Sequence, residues 1–343
     1  MYCPKCGTRN EDGARFCVGC GRPLPQRPGT LPTQSQMPQQ DFARMAGSGQ
    51  KQKPLILAGL AALAILVVVV LLARGCAFSG SASSGSQTAG EVAVSPSVND
   101  YSWQDLKRVS EKIADAPSDS EGLKIAAQYH LCTSDGRLDG TQAKDVTLTD
   151  GTKTSVIVAG FRHDDKADGT GKAGITFMFK DAIALGSMNA RDTNTGGWKG
   201  SSMRSWLVAS GMELMPDDLK GAIVSVKKYT NNAGQTASSS AVTATDDALW
   251  LFSYNELGGS SQGWADASVY QSEGSIYQLL ADASNPQALL EKTFRGQTCR
   301  WWERNPDAGI YHSFMAVNTG GNPYDRCYSK AASSYAIVPG FCI

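Results

Sequence analysis

The sequence predicts an α+β fold for its C-terminal two-thirds, and three observations carry that expectation. All seven tryptophans lie beyond position 100, in a stretch of about 240 residues, long enough to close a sizeable core. β-branched and aromatic runs bounded by Gly, Asp and Asn recur through it, which is strand character. Short helical patterns and long Gly/Ser/Asn loops fall between the runs. The order is therefore neither the alternation of a doubly wound sheet nor the strand-only series of a sandwich.

In chain order, residues 1–24 come first. Cys3, Cys6, Cys17 and Cys20 form two C-x-x-C turns separated by ten residues. Each turn can aim two thiolates at one tetrahedral Zn2+, and Gly7 and Gly21 follow where the chain must turn tightly. A pair of disulfides or a redox couple is the competing reading. The segment is too short to fold on an apolar core, so bound metal would supply its folding energy. The stretch YCPKCGTRNEDGARFCVGCGRPL resembles the zinc ribbon found at the cytoplasmic start of many bacterial membrane proteins. That resemblance implies structural zinc, a cytoplasmic protein partner and no chemistry of its own.

Residues 25–53, rich in Pro, Gln and Gly, predict a flexible tether. Leu55–Ala73 carries no charge over nineteen residues, enough at about 1.5 Å per residue to cross a hydrocarbon layer of about 30 Å. One transmembrane helix in contact with lipid is expected over 54–74. A cleaved signal peptide would start the chain, and lipidation of Cys76 is disfavoured by Arg74 two residues before it. Residues 1–53 hold eight Lys+Arg against three Asp+Glu, and residues 75–343 hold twenty-three against twenty-nine. The basic side is expected in the cytoplasm and the rest outside, in a single-pass protein of the cell membrane. A reducing cytosol also suits a thiolate zinc site. No basic patch points to nucleic acid. Residues 75–98 form a second, Ser/Gly-rich linker.

A helical preface is expected over 99–130. Ser102 is an N-cap with Asp105 three residues on, and Trp103, Leu106, Val109 and Ile113 share a face to about Ala114. A second helix runs from near Ser120 to about Tyr129. Strands are expected at 153–161, 173–180, 223–230 and 248–254, with helical turns at 201–209 and 216–222. Trp198, Trp206, Trp250, Trp301 and Trp302 suit the anchoring of a loop-rich core better than a ligand platform. Arg204 and Arg304 each offer a planar fork, and Glu256 is the candidate carboxylate partner.

The series Trp198-x-x-Ser201-x-x-Arg204-x-Trp206-Leu207, Asp247-x-Leu249-Trp250-Leu251-x-Ser253-x-x-Glu256, Trp301-Trp302-x-Arg304-x-Pro306 and Val338-Pro339-Gly340-Phe341-Cys342 resembles the bacterial envelope family called domain of unknown function 6273. The resemblance spans roughly 125–343. It implies a C-type lectin-like or formylglycine-generating-enzyme-like layout with long loops over 131–343, and no established activity. The copper-dependent oxidase chemistry of the second comparison is not carried over, since the outer domain has no closely spaced cysteine pair. Four cysteines can pair three ways. The lectin-like resemblance implies Cys132 with Cys342 and Cys299 with Cys327, and four reduced, buried thiols are the competing reading. A surface site is expected where Trp301, Arg304 and the loop from Asn318 to Tyr324 meet, taking an envelope or host ligand such as a glycan.

Other letters carry less. Gly259-Ser260-Ser261-Gln262-Gly263 spells a nucleophile elbow inside a Gly/Ser loop with no helix to follow, and GTGKAG at 169–174 lacks the spacing of a phosphate loop. Asp164, Asp165 and Asp168 with Gly169 offer oxygens for Ca2+, but a solvated acidic turn is preferred. No catalytic residue is assigned. The expected function is a membrane-anchored interaction protein. The alternative is an envelope enzyme acting on glycan or peptide through Glu256, Asp247 or His312, which a cavity holding two carboxylates would favour.

Overall fold

The computed structural model of the protein describes residues 91–323 and 329–343. The four ribbon cysteines, the apolar run at 55–73, Tyr324 and Cys327 lie outside them. Among the described residues no helix is long and apolar enough to cross a membrane. The longest, α1 (Trp103–Ala114), has 12 residues, about 18 Å at 1.5 Å each, and one polar face. The expectation of a transmembrane helix is corrected accordingly, and the architecture described is α+β alone.

Local chemistry sets the first elements. Asp105 N donates to Ser102 Oγ at 3.0 Å and caps α1, while Glu121 N donates to Ser118 Oγ at 3.2 Å and opens α2 (Asp119–Gln128). Trp103 meets Phe177 and Phe341 edge-on, with ring centroids 5.6 and 5.9 Å apart, so α1 packs directly on the sheet. Next come β1 (Ala143–Thr147), β2 (Lys153–Phe161), β3 (Ile175–Phe179) and β4 (Ala184–Gly186). Then follow α3 (Ser202–Trp206), extended by a π turn through Gly211, and α4 (Asp217–Lys220). The second half runs β5 (Val226–Asn231), β6 (Val242–Asp247), β7 (Trp250–Leu251), α5 (Ala267–Gln271), α6 (Gln278–Asp282) and α7 (Pro286–Leu290). It closes with β8 (Lys292–Phe294), β9 (Gln297–Cys299), β10 (Trp301–Pro306), β11 (Phe314–Val317), β12 (Tyr335–Ile337) and β13 (Pro339–Cys342).

Five strands form one antiparallel sheet in the order β1-β2-β3-β13-β7. Four more form β11-β10-β12-β4, with β10 and β12 parallel. β5-β6 and β8-β9 are separate hairpins. The last strand is thus interior, pairing Phe341 with Phe177 on one side and Gly340 with Trp250 on the other. Gly340 leaves room there for Phe252, whose Cζ would lie 2.5 Å from an added Cβ. Phe177, Phe179 and Phe341 are fully buried with Trp198, Trp250, Trp301 and Trp302 in the main core, which is the core role predicted for those four tryptophans.

The implied disulfides need correction. Cys132, Cys299 and Cys342 are free thiols. Cys342 faces inward from β13 against Thr176 Oγ1 at 3.2 Å and Asp164 Oδ2 at 3.5 Å. Cys132 sits just past α2, where burial pushes its thiol up to about 11 with Asp135 and Asp282 adding to the rise. Cys299 donates to Lys292 O across the β8-β9 hairpin at 3.4 Å. Each thiol is committed to a different neighbourhood, so Cys132 and Cys342 form no bridge.

Candidate ligand-binding cleft and the charge network behind it

Arg304 projects from β10 into a sealed interior and is 0% exposed. Its guanidinium forks onto both oxygens of Glu256, with Nη2 to Oε1 at 3.0 Å. The remaining donors reach Thr230 Oγ1 (2.8 Å), Leu251 O (3.0 Å), Tyr229 O (3.1 Å) and Glu273 O (3.1 Å). Glu256 is therefore the partner of Arg304 that the sequence suggested. Lys228 completes the network from β5, its Nζ 2.6 Å from Glu256 Oε1 and 2.7 Å from Asp164 Oδ1. Tyr277 OH donates to Asp164 at 3.0 Å, and Thr176 Oγ1 does so at 2.8 Å. Burial opposes both carboxylates' charge, yet Arg304 and Lys228 hold Glu256 below its usual range and Lys228 holds Asp164 well below it. At Glu273 burial outweighs the pull of Arg304. Burial pushes it up to about 8 although Asn231 N donates to its Oε1 at 2.6 Å.

The turn that aims Glu256 inward also builds an outer surface. Tyr254, Leu257 and the Gly258–Ser260 turn form one wall of a cavity of about 340 Å3, with Pro286, Gln287 and Leu290 of α7 opposite and Asn322 and Pro323 at the end. Its size suits a small ligand. The first wall is fixed to β10, because Tyr254 N donates to Asn305 Oδ1 at 2.7 Å and Glu256 holds Arg304. Trp301 secures the second by donating from Nε1 to Leu290 O at 2.9 Å. Asn318 Oδ1 accepts from Gly320 N and Asn322 N and so shapes the end. At Gly321, φ is +72° and an added Cβ would meet Gln287 O at 2.0 Å, so only glycine lets this loop close on α7.

The expected surface residues are thus placed differently from the prediction. Trp301 and Arg304 are buried and cannot touch a ligand. They brace the walls of the cleft, Asn318 shapes its rim, and Tyr324 lies outside the described residues. Lys228 and Glu273 were missed. The alternation Val226, Lys228, Thr230 on one face of β5 is a readable sign of an inward lysine, whereas Glu273 lies in a loop with no pattern.

The acid–base candidates do not converge. Asp247 is buried against Trp198 Nε1 (2.9 Å), Arg204 Nε (2.6 Å) and Thr245 Oγ1 (2.6 Å), so Arg204 pairs with Asp247. His312 turns its Nδ1 to Ser313 Oγ at 2.9 Å. A second cavity, of about 440 Å3, does gather Asp135, Asp139 and Asp282. Hydrogen bonds from Thr133 and Thr141 hold Asp135 and Asp139 below the ordinary carboxylate range, so neither suits a proton donor. The residues considered for Ca2+ diverge as well: Asp164 faces the interior, Asp165 pairs with Lys172 at 2.9 Å, and Asp168 closes a turn on Thr170.

An α+β domain with a small cleft braced by a buried ion network is the class that fold and site define. Within it, residues 173–343 match the family model of a domain of unknown function, family 6273, and residues 2–24 match that of a zinc-ribbon domain. The chain carries both domains. The first match begins at Ala173, later than the resemblance read from residue 125, and leaves α1, α2, β1 and β2 outside it. No curated protein and no solved structure matches the chain. Cys3, Cys6, Cys17 and Cys20 all fall inside the ribbon match, a domain type that suggests structural Zn2+.

Proposed function

We propose that the protein is a two-ended interaction protein, in which the zinc ribbon engages a cytoplasmic protein and the folded domain holds an envelope or host ligand in the cleft between Gly258–Ser260 and α7. The observation that carries this is the cleft itself, whose walls are braced from behind by Trp301 and Arg304 while its lining offers hydroxyl, amide and backbone groups beside apolar rings. Such a lining suits a neutral polar ligand, and a glycan fragment is the class put forward. The acidic C-terminal segment and the basic, cysteine-rich N-terminal one support different partners for the two ends.

Titration of the full chain with cell-wall and host glycan fragments tests the cleft. Ser260 and Gln287 are exposed on its two walls, so Ser260→Trp and Gln287→Ala are expected to fold normally and to weaken binding at least roughly tenfold, about 1.4 kcal/mol. Unchanged affinity in both variants would move the ligand elsewhere.

For the ribbon, metal analysis is expected to find one Zn2+ per chain, lost in the double variant Cys6→Ser with Cys17→Ser. Full metal retention in that variant would refute the assignment of donors.

A further inference from the structure

Away from the cleft lining, two loops bring a serine, a histidine and an aspartate into line. Ser275 Oγ lies 3.1 Å from His163 Nε2, and His163 Nδ1 lies 3.5 Å from Asp164 Oδ1 with no hydrogen bond between them. Ser275 is exposed, the His163 side chain is 17% exposed and that of Asp164 is 3% exposed, the gradient a nucleophile, base and carboxylate need. The ring is held in place by stacking on Tyr277, with centroids 4.0 Å apart, and Tyr277 OH donates to the same Asp164.

The backbone is unusual just before both reacting residues. Arg162 has φ 49°, a left-handed conformation that costs a non-glycine residue about 1 kcal/mol or more. Its guanidinium offsets that cost by bonding Asp119 Oδ1 at 2.9 Å and Ile113 O at 3.1 Å. Gly274 has φ 101°, and a Cβ there would meet Glu256 Oε1 at 2.9 Å. The chain passes over the buried network at the one residue without a side chain and delivers Ser275 to the imidazole.

We propose that Ser275, His163 and Asp164 form a nucleophilic serine site that cleaves short-chain acyl esters. With its proton on Nδ1, facing Asp164, the imidazole presents Nε2 as acceptor. Ser275 Oγ attacks the ester carbonyl carbon while Nε2 takes the hydroxyl proton. The tetrahedral adduct then breaks its C–O bond, and the leaving alkoxide takes that proton to depart as an alcohol. Water attacks the acyl-Ser275 ester, gives a proton to Nε2, and the proton returns to Oγ as the carboxylic acid leaves. The Ser275 carbonyl, 3.2 Å from Nε2, accepts from the protonated ring between these steps. Stacking on Tyr277 orients the ring, and Asp164 stands behind it without touching substrate. Ile276 follows Ser275, is 42% exposed and packs on Gly258, giving a short acyl chain an apolar surface.

Full-length protein treated with an alkyl fluorophosphonate is expected to take one label, mapped to Ser275 by peptide mass spectrometry, and to release p-nitrophenol from p-nitrophenyl acetate. Ser275→Ala and His163→Gln, both at solvent-reached positions, are expected to melt like the parent and to lose roughly 100-fold or more in each rate. A label on another serine, a wild-type rate equal to that of Ser275→Ala, or unchanged labelling of His163→Gln overturns the proposal. None of these outcomes bears on glycan binding in the cleft, which Ser260→Trp tests separately.

Discussion

Arg304→Ala is expected to leave the folded domain barely stable or unfolded. The guanidinium is fully buried, keeps its charge against burial because Glu256 lies on it, and satisfies the carbonyls of Tyr229, Leu251 and Glu273 at once. Its removal leaves the Glu256 carboxylate with Lys228 and the Ser253 amide and orphans those acceptors. Breaking a buried pair by deleting one partner costs about 3 to 5 kcal/mol, a large share of the roughly 5 to 15 kcal/mol that holds a domain together. Arg304→Lys is expected to fail as well, because one ammonium cannot span the fork on Glu256 and also reach Thr230. Urea denaturation of the parent and both variants measures the loss. An Arg304→Lys variant within about 1 kcal/mol of the parent would mean the fork geometry is dispensable.

Stability is also expected to fall as pH rises from about 4.5 to about 8, and Glu273 is the cause. Its carboxyl is raised from 4.5 to about 8 in the fold by burial. Within that window the folded chain keeps a proton that the unfolded chain releases, so raising the pH favours unfolding. The contribution is fully present below about 4.5 and lost by about 8, up to about 5 kcal/mol if no relaxation intervenes. Asp164 and Glu256 act in the opposite sense, being held low, so their contribution is lost on acidification below the ordinary carboxylate range. Together they place maximal stability in mildly acidic solution. Glu273→Gln keeps an acceptor for Asn231 N while removing the titration, and is expected to flatten the slope between pH 5 and 8. An equal slope in parent and variant, measured by denaturation across that range, would exonerate Glu273.

Both expectations rest on groups that a reading of the sequence handles unevenly. Glu256 was the candidate partner for both Arg204 and Arg304, and the fold gives it to Arg304 while Arg204 takes Asp247. Lys228 was legible only through the alternation of β5. Glu273 belongs to an irregular loop and became buried because β5, β10 and the Ser253–Glu256 turn close over it, a consequence of contacts 20 to 42 residues away in the chain. The surface assigned to Trp301 and Arg304 failed for a related reason. Aromatic and arginine side chains mark binding sites and cores alike, and exposure is a property of what packs on top of them.

What the sequence by itself determined is local: the Ser102 cap, the β2 and β3 runs, and the paired C-x-x-C turns that mark a zinc ribbon. Each depends on neighbours within a few residues, where backbone preference and side-chain reach decide the outcome. Only the tertiary structure decided that the final strand lies inside the sheet, that Cys342 faces Asp164 as a free thiol, and that three distant segments enclose one cleft. Those arrangements follow from which apolar faces bury one another over long separations, and the local pattern of the chain does not carry that information.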